Sequence, residues 1–276
     1  MSSNSSFGIR PPARNNDEVD ARLTVAVDVA RIAGAHALTH FLNRDRLKVE
    51  CKHDLQDVVS IADREVEQLI FKHIGERFPH DGFLGEEYGL KLGSSPFTWA
   101  VDPIDGTAPF LHGMPNWCVS IALLRDGDLV MGVICAPCHD ELYVAAKGRG
   151  AALNGKPLVI DVKRTVQNGM TGIGASLHIP PAKIGAAVQT LLELGGSFIR
   201  NGSGALMLAY VAAGRLAGYY EPYLRAWDCL AGLCLVSEAG GWHSEFPTEG
   251  EAITEGAPVL AAGPGAKQDI LRIAAA

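Results

Sequence analysis

The sequence predicts an α/β protein built in two styles, an α+β first half followed by an α/β second half. Three observations carry that prediction. Apolar residues recur at helical spacing over residues 17–42 and again from residue 60 to Phe78. Short apolar segments over 117–147, turned at Asp126-Gly127, read as an antiparallel meander. From about residue 157 strand-like and helix-like segments alternate. The boundary is placed near residue 156. This gives a loose polar tail over 1–16, an α+β domain over 17–156 and an α/β domain over 157–276.

In chain order, Asn16 or Asp17 caps an opening helix whose apolar side carries Val19, Leu23, Ala26, Val27 and Ala30. His36 and His40 stand four apart on it. No glutamate lies between them as in a zinc-protease helix, so the pair reads as part of a plain helix face. Ser60-Ile-Ala-Asp63 opens a second helix that runs through Val66, Leu69, Ile70 and Ile74 and stops at Phe78-Pro79. Short strands around Phe83 and over 97–101 precede the meander. A glycine-rich exit follows, Lys147-Gly-Arg-Gly150 and Asn154-Gly155. In the second half, strands near 169–175, 197–200, 217–221 and 258–262 alternate with helices over 181–194, 203–214 and 227–239, and a helix closes the chain.

The 276 residues are 47% hydrophobic and 20% charged, ample for a packed core. A formal net charge of −7 argues against a surface that binds nucleic acid by neutralising phosphates. No apolar stretch reaches the roughly 20 residues that span a bilayer. The start, Met1-Ser-Ser-Asn-Ser-Ser6, lacks the charged and apolar regions of a secretory signal, so a cytoplasmic protein is expected. Six cysteines in this length do not make a disulfide scaffold. Cys135-Ala-Pro-Cys138 falls between two strand-like runs, in a hairpin connection rather than at a helix N-terminus. That placement speaks against a redox pair, and His139 alone does not complete a zinc site.

The chemistry concentrates in Asp102-Pro-Ile-Asp-Gly-Thr107. Two carboxylates three residues apart suit a hard divalent cation, and amides at the start of a helix suit an anion. The apolar run Phe97–Val101 places this expected turn at the carboxyl end of a strand, where ligand sites of open α/β sheets lie. Asp63, Glu86-Glu87 and Asp228 are further acids at helix starts or strand ends. Each taken alone has an ordinary reading as a first-turn or loop acid. Asp102 and Asp105 differ, because the strand before them would bury them together, and two close carboxylates repel unless a cation or proton intervenes.

Taken in order, Gly85-Glu-Glu87, Trp99-Ala-Val-Asp-Pro-Ile-Asp-Gly-Thr107 and Trp227-Asp-Cys-Leu-Ala-Gly232 running into Glu238-Ala-Gly-Gly241 resemble the inositol monophosphatase family. Lys52 and Asp57-Val-Val-Ser-Ile-Ala-Asp63 fit its N-terminal segment, so the resemblance runs from about residue 20 to the end. It implies a layered αβαβα sandwich of the inositol monophosphatase and fructose-1,6-bisphosphatase type. It also implies two to three Mg2+ ions. One would be held by Glu86, Asp102 and the Ile104 carbonyl, a second by Asp102, Asp105 and Asp228, and a weaker third by Glu86. Thr107, oriented by Asp63 and with Glu86 in contact, would activate the attacking water. Asp105, Gly106, Thr107, Ser203, Gly204, Glu221 and Asp228 would contact the substrate, the amides of Gly106 and Thr107 taking the phosphate and Glu221 a sugar or inositol hydroxyl. Lys52 and Glu87 would stand behind these. The implied partners are a small phosphorylated polyol or sugar and a second copy of the chain, with inhibition by lithium.

Two departures lie on the substrate side. Ala108-Pro109 stands where relatives carry a polar pair, and Gly204 where Ala is usual. Proline in a first turn removes no intrahelical bond, so the phosphate cradle is expected to survive, while Gly204 is expected to loosen the sugar-facing wall. The function expected is hydrolysis of inositol 1-phosphate. Histidinol phosphate, fructose 1,6-bisphosphate and 3′-phosphoadenosine 5′-phosphate are alternative substrates on the same fold, and a role as a partner of the transcription machinery is the alternative from another class.

Overall fold

The structure, a computed structural model, describes residues 7–10, 17–46, 49–51 and 58–276. The chain begins with helix α1 (Asp17–Leu42), the small strand pair β1 (Val49–Cys51) and β2 (Val58–Ser60), and helix α2 (Ile61–Arg77). Strands β3 (Gly82–Gly85), β4 (Gly89–Lys91) and β5 (Phe97–Asp105) and the short helix α3 (Thr107–Leu111) lead into β6 (Cys118–Arg125), β7 (Asp128–Ala136), β8 (Glu141–Ala146), β9 (Gly150–Leu153) and β10 (Lys156–Leu158). The rest is β11 (Met170–Ile173), α4 (Pro181–Glu193), β12 (Ser197–Ile199), α5 (Gly204–Ala212), β13 (Leu216–Leu224), α6 (Ala226–Glu238), β14 (Trp242–His243), β15 (Ala257–Ala262) and α7 (Lys267–Ala274).

One sheet has the order β10-β9-β8-β7-β6-β5-β3-β4, antiparallel except where β3 meets β5. The other has the order β12-β11-β13-β15-β14, parallel through β12, β11 and β13 and antiparallel beyond. Helices α1 and α2 cover one face of the large sheet. Helices α5 and α6 fill the space between the two sheets, and α4 and α7 cover the outer face of the small one. The result is five layers, αβαβα, with three hydrophobic cores, the central one lying on both sides of α5 and α6. The composition of the helices follows from this layering. Helix α6 buries Trp227 and every residue from Cys229 to Val236, being apolar all round because a sheet lies on each side of it. Helix α7 buries only Ile270 and Ile273, one stripe, because its other side meets solvent.

The sequence differs from the fold in three places. Residues 7–10 belong to the expected loose tail, yet Ile9 is buried and the Arg10 N–H donates to the Arg149 carbonyl at 2.8 Å. The glycine-rich exit forms β9 and β10, which extend the sheet; Asn154 and Gly155, both at positive φ, make the tight turn between them. The Asp102–Thr107 segment is not a turn, because β5 continues through Pro103 to Asp105. The hairpin reading of Cys135–Cys138 agrees with the structure. Both thiols are free, and burial pushes Cys135 up to about 11, away from a reactive thiolate.

Candidate active site

The two aspartates of β5 are brought to one side by a bulge. Along a regular strand, residues three apart point to opposite faces. Here Asp102 pairs with Ser120 but Asp105 pairs with Cys118, so three steps on β5 match two on β6. The extra residue next to Pro103 turns Asp105 to the side of Asp102. Helix α6 opens against the same place, with the Ser120 hydroxyl donating to the Trp227 carbonyl at 3.0 Å. Its first-turn Asp228 accepts the Arg225 N–H at 2.8 Å. Oxygens of Asp102, Asp105 and Asp228 thus lie within 4.8 Å of one another.

Burial first, and then the charges of Glu86, Asp105, Asp228 and Asp63, push the Asp102 carboxyl well above its usual range. Asp228 is pushed up in the same way, by its surroundings first and then by Asp105 and Glu86. Like charges this close need a proton or a cation between them. Every donor in the cluster is a carboxylate oxygen, a hard set that suits magnesium, calcium or manganese rather than thiolate-seeking metals. Glu86 lines the same cleft without joining the three whose oxygens converge.

Asp105 is the most constrained of the acids. It accepts from the Ser203 hydroxyl, from the Gly204 N–H at 3.2 Å and from the Ala205 N–H at 2.7 Å, at the N-terminus of α5. With the Cys118 thiol 3.8 Å from Oδ2 as well, these bonds take up most of its roughly four lone-pair sites. Ser203 and Gly204, expected to face the substrate, both line the cleft and at the same time hold Asp105. The expected loosening at Gly204 is absent, because Leu224 carbons fill the space to within 3.0 Å of where a Cβ would stand.

Thr107 opens α3, and its hydroxyl lies 3.3 Å from Asp63 Oδ1 and 3.2 Å from the Ile104 carbonyl, able to donate to either. Gly106 precedes it at φ +97°, and a Cβ there would stand 2.7 Å from the Asn116 carbonyl oxygen. Both reasons exclude a side chain. Pro109 sits within the first turn of α3, and the Phe110 N–H still reaches the Gly106 carbonyl at 2.9 Å, so the proline is accommodated as expected.

A cleft of about 480 Å³ opens in front of these groups, and Glu221 forms part of its far wall. Its Oε2 accepts from the Tyr219 hydroxyl at 2.6 Å, while its buried Oε1 has no partner among the described residues. Gly174 makes room for it, since a Cβ there would fall 1.5 Å from Oε2. Burial raises the Glu221 carboxyl from 4.5 to about 7.

The sequence reading missed Glu67. It is wholly buried, accepts the Glu87 N–H at 2.8 Å and the Tyr88 N–H at 3.1 Å, and so holds the loop that carries Glu86. A signal was present: Asp63 and Glu67 stand on the stripe of α2 that continues through Ile70 and Ile74, two acids on an otherwise apolar face. Glu87 is thus tied to the loop through its N–H. Lys52 and Asp57 lie outside the described residues.

The sequence profile of the inositol monophosphatase family matches residues 18–275. The chain belongs to the inositol monophosphatase family. Membership makes it a phosphatase of a generally metal-dependent kind, and the carboxylate cluster has oxygens close enough together to hold a metal ion. It is 38% identical to an inositol-1-monophosphatase of Rhizobium meliloti over 243 residues, 87% of this chain and 91% of that one. It is 37% identical to a Nus factor SuhB of Xylella fastidiosa, covering 81% of this chain and 82% of the relative. The extragenic suppressor protein suhB of Bartonella henselae has the same layered fold. It superposes with a TM-score of 0.83 at 33% identity, over 92% of this chain and 97% of that one.

Proposed function

We propose that this phosphatase hydrolyses inositol 1-phosphate, or a polyol or sugar monophosphate of similar size, with magnesium as its metal. The observation that carries the reading is the pairing of a converging carboxylate cluster with the unpartnered buried oxygen of Glu221 across one cleft. One side suits a cation against a phosphate, and the other needs a hydroxyl donor.

In this reading Asp102, Asp105 and Asp228, with Glu86 and the Ile104 carbonyl, hold two to three magnesium ions. Bound magnesium supplies charge neutralisation on the attacked phosphate and the departing alkoxide. Asp63 accepts the Thr107 hydroxyl proton, which leaves Thr107 Oγ1 free to accept from the attacking water, with Glu86 alongside. The N–H groups of Gly106 and Thr107 take the phosphate oxygens, while Ser203 and Gly204 line the sugar side with Glu221, which accepts from a substrate hydroxyl. The Rhizobium relative named inositol-1-monophosphatase supports this substrate. Among the described residues no helix is long and apolar enough to cross a membrane. A cytoplasmic, lithium-sensitive homodimer without direct nucleic-acid contact completes the proposal.

The test is phosphate release from inositol 1-phosphate, fructose 1,6-bisphosphate, histidinol phosphate and 3′-phosphoadenosine 5′-phosphate, with and without magnesium and lithium. Magnesium-dependent, lithium-inhibited turnover of inositol 1-phosphate above the others is expected. Preference for another ester would move the substrate, and turnover unaffected by chelation would overturn the metal chemistry. Relatives named Nus factor SuhB favour a second reading, a partner of the transcription machinery. Rescue of a deletion's growth defect by catalytically dead Asp102→Asn would support that role.

A further inference from the structure

Away from the cleft, His36 and His40 of α1 meet Glu65 from the N-terminal part of α2. The His40 and His36 Nε2 atoms stand 3.4 Å apart, and Glu65 Oε2 lies 3.0 Å from His40 Nε2 and 3.7 Å from His36 Nε2. Three ligand atoms around a tetrahedral zinc, each about 2.0–2.1 Å from the ion, stand about 3.3 Å apart. The three observed separations bracket that value. The two rings meet edge-on at 87° rather than stacking. A single cation among the three atoms would be bound by all of them at once.

We propose that His36, His40 and Glu65 form a site for zinc or a similar late first-row divalent ion, distinct from the carboxylate cluster and independent of the phosphatase reaction. The donor chemistry separates the two sites. Two imidazoles and one carboxylate favour zinc, nickel or copper, while the all-carboxylate cluster favours magnesium. Helix geometry separates them as well. Glu65 is two residues from Asp63, and residues at that spacing do not face the same way. The side chains remain 39%, 20% and 44% exposed, so an ion can enter from solvent and keep water in its remaining position. Bound there, it ties α1 to the N-terminal part of α2. The helix-face reading of His36 and His40 lacked the third ligand because it comes from another helix.

The experiment is a titration of the chelator-stripped full chain with Co2+, and with Zn2+ in competition, in excess magnesium so that the carboxylate cluster is occupied. One equivalent of Co2+ with a tetrahedral visible spectrum, displaced by Zn2+, is expected. H40A and E65Q should each weaken binding at least about tenfold. D102N, which alters the other cluster, should bind Co2+ as the unmodified chain does. Circular dichroism checks that each variant is folded, and because all three side chains are partly exposed the substitutions leave the core intact. Binding unchanged in H40A and E65Q, binding lost in D102N, or no spectrum at all would each overturn the proposal.

Discussion

Replacing Glu221 by glutamine is expected to stabilise the metal-free protein while impairing it as an enzyme. Its buried carboxyl titrates near 7 when folded against 4.5 when free, which corresponds to about 3 kcal/mol against the ionised form. The folded state therefore binds the extra proton between those two values. Stability from this group is complete below pH 4.5, falls as pH rises toward 7, and is lost above it. The amide of the Glu221→Gln variant would carry no charge and could still accept from Tyr219. Urea denaturation should then show the variant more stable than the parent by about 2–3 kcal/mol at pH 8, with the difference vanishing near pH 4. Activity should move the other way. Turnover of inositol 1-phosphate should fall about tenfold in kcat/KM, and that of phenyl phosphate, which has no polyol, should not change. A stability difference independent of pH would refute the electrostatic argument. An equal loss on both esters would refute the hydroxyl assignment.

Other substitutions probe separate parts of the molecule. Thr107→Val should lower kcat roughly 10²- to 10⁴-fold with KM and magnesium affinity retained, as phosphate-release kinetics and calorimetry would report. Gly106→Ala forces a side chain into a left-handed conformation beside the Asn116 carbonyl. It should cost about 1–3 kcal/mol by thermal denaturation and abolish activity. Arg22→Ala leaves Asp81 buried without the guanidinium that donates to both its oxygens at 2.8 Å, so about 3–5 kcal/mol should be lost, while kcat of the folded fraction is preserved.

Local features of this molecule were legible in its sequence, and long-range ones were not. The Asp102–Thr107 segment announced itself because its acids, glycine and threonine are contiguous, and the periodicities of α1, α2 and the second half gave the helices and strands their places. What the segment does in space was less visible. The strand runs on through Pro103, and the bulge that aligns Asp102 with Asp105 depends on the register with β6. Strands β9 and β10 escaped because their glycines fit a turn as well as a hairpin. Glu67, the Arg22–Asp81 pair and the contact of Glu65 with His36 and His40 link segments 20 to 59 residues apart, beyond any periodic pattern. Asp105 was read as a ligand, yet most of its hydrogen-bonding capacity goes to the start of α5.

That last attachment has a bearing on the order in which the protein can be made. Asp105 is fixed by groups 98 to 100 positions further along the chain, and its neighbour Asp228 comes later still. During synthesis the large sheet can begin to form while both are still unmade, but its aspartates then have neither the amides that hold Asp105 nor the third acid. Contacts of such long sequence separation form late. A chain interrupted before α6 would therefore carry the most recognisable part of the catalytic signature without the pocket that gives it meaning. Metal capture belongs at the end of folding, where it rewards only the finished arrangement of layers.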